Sequence, residues 1–164
     1  MKRNEVRLYN VLFPIWLLVF IPSYLWLILI PANYLIDRAV LYYSLPAENR
    51  KTFCRRNTWK ICIAGFLADF AGGLFLFGVL LLFDTYFPGS QTFIDALTFN
   101  HFTHPLALLA VLAAIALSGV LIYGMDLFLL KKSGLAEEQA KHSAKRLALI
   151  TAPYLFLIPS ALIY

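Results

Sequence analysis

The chain has 164 residues, 61% of them hydrophobic and 14% charged, with a formal net charge of +5 and a mean hydropathy of +0.74. A soluble domain is roughly half apolar and a quarter charged, so too little charge is present here to cover a globule, and a bilayer is expected to solvate much of the side-chain surface. All 14 Lys and Arg fall within residues 2–7, 38–60 and 131–146, a loop-confined pattern typical of positive-inside membrane proteins that argues against nucleic-acid binding.

From Leu8 to Leu45 the chain is nearly continuously apolar, interrupted by Pro14, Pro22 and Pro31. A single crossing over 11–30 would put Lys2, Arg3 and Arg7 outside, against the charge rule. A re-entrant hairpin, turning near Pro22–Ser23 or Pro31–Asn33, keeps every basic residue on the cytosolic side. Irregular backbone at that depth is allowed where protein buries it. The charge balance favours the hairpin, while the apolar run with Trp16 and Trp26 leaves a simple span open. Residues 34–45 suit an interfacial helix, with Asp37 and Arg38 on its polar side and Tyr42 and Tyr43 at headgroup level.

Residues 61–83 form a clear span, with Trp59 and Lys60 before it and Asp84 after it. Residues 84–104 follow as an outer loop without Lys or Arg, in which 91–103 suit a short helix with Phe93 and Leu97 on one side. Residues 106–130 form a second span between Pro105 and Lys131–Lys132. Residues 131–146 suit a cytosolic helix capped by Ser133, with Glu137, Lys141 and Lys145 at i, i+4 spacing. Residues 147–164 form a third, shorter span, kinked at Pro153 and Pro159. The basic connections 38–60 and 131–146 belong in the cytosol and the carboxyl terminus outside.

The expected fold is therefore all-α. It is a polytopic transmembrane bundle of three clear spans plus an amino-terminal re-entrant or spanning segment, in a single membrane domain over 1–164. The basic start lacks a small-residue cleavage site, so removal as a signal peptide is not expected. Cys54 and Cys62 are too sparse for a zinc signature, and disulfides are rare on the cytosolic side.

The stretches KRNEVRLYNVLFPIWLL, LILIPANYLIDRAVL and KICIAGFLADFAGG resemble parts of a group of small uncharacterised bacterial membrane proteins. The resemblance covers roughly residues 2–80. It implies a bacterial cytoplasmic-membrane protein and carries no enzymatic motif.

Asp69 lies nine residues beyond Lys60, hence about 13 Å along its span and near the middle of a ~30 Å hydrocarbon core. An intramembrane carboxyl is costly and should face the bundle interior. Gly65, Gly72 and Gly73 leave little bulk beside it, and no Lys or Arg lies at that depth. Tyr123, Thr151 and Tyr154 are expected at a similar level. Asp69 then serves as a neutral hydrogen-bonding lock between helices, or binds a proton or cation in turnover. Ala110, Ala114 and Ser118 form a small-residue stripe suited to helix contact. Asp126, about a turn inside its span, is expected to pair or snorkel toward Lys131 and Lys132.

His101 and His104, with Asp84 and Asp95, are the outer loop's metal-capable groups. Two histidines three apart are a weak basis for zinc, which takes three or four converging donors. No metal or other cofactor is expected. The lack of catalytic motifs points first to a non-enzymatic membrane component that oligomerises or binds a partner protein. A small proton- or cation-coupled transporter or channel using Asp69 comes second, and a membrane enzyme with an outer Asp/His face third. The other expected contacts are with the bilayer and its anionic headgroups.

Overall fold

The structure, a computed structural model, describes Trp16, residues 26–46 and residues 50–162. The described residues form five α-helices and no strand: α1 (Trp26–Ser44), α2 (Arg50–Tyr86), α3 (Gln91–Phe99), α4 (Pro105–Lys132) and α5 (Glu137–Thr151). Short 3₁₀ turns cover His101–Thr103, Tyr154–Leu157 and Ser160–Leu162. A hairpin turn at Pro22–Ser23 and the basic residues 2–7 lie outside the described residues. The alternative turn at Pro31–Asn33 does not occur, because Pro31 sits inside α1.

Two helices, α2 and α4, are long and apolar enough to cross a membrane, with mean hydropathies of 2.2 and 2.6 over their most apolar windows. Only 28% and 33% of those windows is buried within the chain, whereas a soluble protein's core helix is mostly buried. Leu67, Leu74 and Leu81 on α2 and Leu109, Val120 and Phe128 on α4 are exposed, a continuous apolar surface that water does not tolerate. With 37 residues, α2 is roughly 55 Å long. Its apolar part corresponds to the expected span, and residues 50–60 extend the same helix beyond it.

The third expected span is corrected. The helix over its first residues ends at Thr151, and the chain continues as 3₁₀ turns. Pro153 is the cause: it lacks an N–H and disfavours helical backbone in the residue before it. Ala152 is accordingly extended, with φ −55° and ψ 151°. The Phe156, Ile158 and Leu162 amides then donate to the carbonyls of Pro153, Leu155 and Pro159. This segment packs along α4 and reaches α3.

The helix expected over 131–146 is corrected at its start. Ser133 caps the carboxyl end of α4, where its hydroxyl lies 2.8 Å from Leu129 O. Gly134 has φ +89°, and the Leu135 and Gly134 amides donate to Leu130 O and Lys131 O. Together these form a Schellman turn, which requires the left-handed conformation that glycine adopts readily. α5 starts four residues later, after Ala136.

Helices α1, α2, α4 and α5 close a ring, with α2 against α4, α4 against α5, α5 against α1 and α1 against α2. Its interior holds two apolar clusters. One, at the basic end, contains Leu41, Leu45, Cys54, Ile61, Leu130, Ala140, Ala144 and Leu147. The other, at the opposite end, contains Leu76, Phe93, Leu97, Val111, Ala114, Ile115 and Phe156, together with Trp16. The Trp16 indole donates to Leu97 O at 3.3 Å.

Helices α2 and α4 approach each other closely at Gly72, beside the far cluster. A Cβ on Gly72 would collide with the Ser118 hydroxyl and stand 3.2 Å from Ala114 O, while Ser118 Oγ donates to Ala68 O at 3.0 Å. Gly65, in contrast, has open space around it. Gly72→Ala should therefore cost about 1–3 kcal/mol through overpacking, read as a lower thermal midpoint in detergent. Gly65→Ala should be neutral or stabilise by up to about 1 kcal/mol through helix propensity.

Candidate functional site

A polar layer separates the two apolar clusters, and three helices each bring a carboxyl to it. On α4 the inward stripe runs Ala107, Val111, Ala114, Ser118, Ile122, Asp126, Leu130, at the three- and four-residue steps of one helix face. Asp126 belongs to that stripe and is only 1% exposed. Neither of its oxygens has a hydrogen-bond partner among the described residues. The expected pairing or snorkelling toward Lys131 and Lys132 is thus corrected. Lys131 instead bridges Glu137 at 3.3 Å, and Lys132 lies over the Phe128 ring.

Asp37 is the second departure. Four residues before Leu41, it shares that residue's inward face and is 4% exposed, not part of a polar outer side. Its carboxyl lies beside the side chains of Cys62 on α2 and Thr151 on α5. Asp69 on α2 is half-buried, with Oδ1 enclosed and without a partner among the described residues. Asp37 is within electrostatic reach of both Asp69 and Asp126. Counted from Lys60 and Lys131, Cys62, Asp126 and Asp69 lie about 3, 7 and 13 Å in from the basic boundary. The carboxyls are thus staggered inward from that end.

The Thr151 hydroxyl lies 2.9 Å from Leu147 O, which holds it at the end of α5 beside Asp37. Among the described residues no three His, Cys, Asp or Glu side chains converge closely enough to hold a metal ion.

The other candidate positions separate into distinct places. Thr151 joins Asp37, as above. Tyr123 is half-buried against the basic-end cluster. Tyr154 is 48% exposed, and its hydroxyl donates to Leu149 O at 2.6 Å. Gly72 and Gly73 are buried, and Gly65 is half-buried. Ala114 and Ser118 line the α2 contact, with Ala110 half-buried beside the far cluster.

The outer Asp/His face does not assemble. Asp84 and Asp95 are exposed, whereas His101 is buried and its Nε2 lies 3.1 Å from Leu157 O. His104 packs edge-on against Phe93 and precedes Pro105, the first residue of α4, where the missing N–H costs nothing.

Both missed carboxyls carried a sequence signal. Asp126 is in register with Ser118, Ile122 and Leu130, and Asp37 with Leu41. No protein family, curated protein or solved structure matches the chain.

Burial lowers the His101 pKa from its ordinary value near 6.5, and the bond to Leu157 partly offsets this. The neutral ring is therefore the folded form. Its contribution to stability is complete above the ordinary histidine value and is lost as pH falls through the lowered one. Thermal unfolding in detergent should weaken across that acid range. The weakening should shrink in His101→Gln, which keeps a donor for Leu157 and cannot titrate.

Proposed function

We propose that this chain is a small polytopic membrane protein whose interior carboxyls Asp37, Asp69 and Asp126 bind and exchange protons, as in a proton-coupled transporter or channel. One observation carries this: Asp126 is buried within an apolar helix that can span the bilayer, and neither of its oxygens has a partner among the described residues. A buried carboxylate without a cation or hydrogen bonds is strongly disfavoured, and intramembrane acids of this kind commonly serve proton relays. Three carboxyls from three helices give protons a set of stations within one bundle. Their staggering from the basic end inward gives those stations a direction.

The same reading takes the basic end, with α5 and residues 50–60, to be cytosolic by the positive-inside rule. The loop holding α3 is then outside, and the resemblance of residues 2–80 implies a bacterial cytoplasmic membrane. In a cysteine-free background, an added thiol at Thr92 should label from outside intact cells and one at Gln139 only after lysis.

Function as an oligomeric or partner-binding component is the second reading. It is favoured by Gly65 and Gly124, which have open space around them on the apolar helices.

Infrared spectra of the purified protein should contain protonated-carboxyl bands that disappear singly in Asp37→Asn, Asp69→Asn and Asp126→Asn. Proton flux into liposomes should fall about a hundredfold in Asp126→Asn, the lower end of what a positioned proton-transfer group contributes. If all three Asn variants retain full flux while Asp69→Leu or Asp126→Leu breaks assembly, the carboxyls are structural hydrogen-bonding groups and the proton-exchange reading fails.

A further inference from the structure

At the basic end, α2 and α4 enclose a cavity of about 460 Å³. Arg56 and Lys60 line it from α2 and Lys132 from α4, while Asn57 and Ser133 form its polar wall and Leu129 an apolar one. None of the described lining residues is acidic. The carboxylates of the neighbouring helix are already engaged, Glu137 with Lys131 and Lys141, and Glu138 with Lys141. The polar wall is fixed in place: Asn57 Nδ2 donates to Phe53 O at 3.1 Å, and the Ser133 hydroxyl lies 2.9 Å from Asn57 Oδ1.

The position of the cavity along the bundle selects its ligand. Lys60 immediately precedes the apolar part of α2, and the exposed Trp59 meets Tyr34 with ring centroids 6.4 Å apart. Aromatic residues of this kind mark the headgroup level. Arg56, Lys60, Ile63 and Leu67 follow at three- and four-residue steps, so they share one face of α2. All four are exposed, and Phe128 on α4 is 64% exposed beside the cavity. A cationic recess therefore opens directly onto an exposed apolar track. A free anion would use only the recess, whereas an amphiphile uses both.

We infer that the cavity between residues 52–60 of α2 and residues 129–133 at the end of α4 is a binding site for one anionic phospholipid. Its phosphate lies among Arg56, Lys60 and Lys132, and its acyl chains run along Ile63 and Leu67. The guanidinium of Arg56 offers a planar pair of donors matched to phosphate oxygens, and the two ammonium groups act as point charges. The inference depends on membrane insertion but not on the chemistry of the buried carboxyls.

Native mass spectrometry of the full chain released from detergent, with added phosphatidylglycerol or phosphatidylcholine, tests it. The wild type should retain one phosphatidylglycerol in preference to phosphatidylcholine. Arg56→Gln/Lys60→Gln should weaken that retention about 30-fold, given roughly 1 kcal/mol per cation at an anionic surface. Lys51→Gln/Lys145→Gln removes the same charge elsewhere at this end and should change retention less than about twofold, since its loss leaves the cavity and the ion pairs of Glu137 and Glu138 intact. Arg56→Lys/Lys60→Arg should restore most of the retention, which separates loss of the site from misfolding. The inference is overturned if both charge-removal variants lose retention equally, or if neither does. It is also overturned if millimolar inorganic phosphate alone displaces the lipid, which would make the recess a free-anion site.

Discussion

Three carboxyls enclosed in an apolar helical ring, with no Lys or Arg between Ile61 and Leu130, set the terms for the rest of the molecule. A carboxylate taken from water into such an interior loses several kcal/mol of hydration, and no cation on α2 or α4 repays it at that depth. Protons and hydrogen bonds must do so instead. The two apolar clusters exclude water from above and below the layer, so its internal partners count for more than they would at a surface. The tight α2–α4 approach follows from the same constraint. Gly72 lets Ser118 reach the Ala68 carbonyl, which closes the far side of the layer.

The sequence revealed α2 and α4 because continuous apolarity bounded by Lys, Asp and Pro leaves few alternatives for a segment of that length. It revealed less about residues 147–164, whose apolarity equals that of a span. Hydropathy records how a segment partitions and not whether its backbone is helical. Pro153 decides the backbone, and an apolar run can cross a protein's depth in 3₁₀ turns when neighbouring helices and carbonyl acceptors accommodate it. At the amino end, Pro31 had the opposite outcome. Within α1 it removes one amide donor, and the helix continues through it.

The candidate site was legible in proportion to depth. Asp69 stood out because it lies mid-span, where nothing neutralises it. Asp37 and Asp126 sit near the ends of apolar runs, where a charged residue ordinarily reaches the interface. Depth alone therefore assigned them to the boundary, although their helical register assigned them to the interior. Four-residue steps from Ser118 through Ile122 to Asp126 and Leu130, and from Asp37 to Leu41, place each acid behind a fully buried leucine. Register prevails over depth here because α1 and α5 cover the inward face of the bundle at this level. Neither helix could be positioned from its own sequence.

The broken carboxyl-terminal segment links the two ends of the ring. Thr151, the last residue of α5, lies beside Asp37 within the polar layer, and six residues later Leu157 accepts from His101 at the opposite end. In a continuous helix the Leu157 carbonyl would point along the axis toward an amide four residues on. Pro153 frees that carbonyl, and the buried imidazole takes it. One short stretch of chain thus touches the carboxyl layer at one end and a buried neutral histidine at the other.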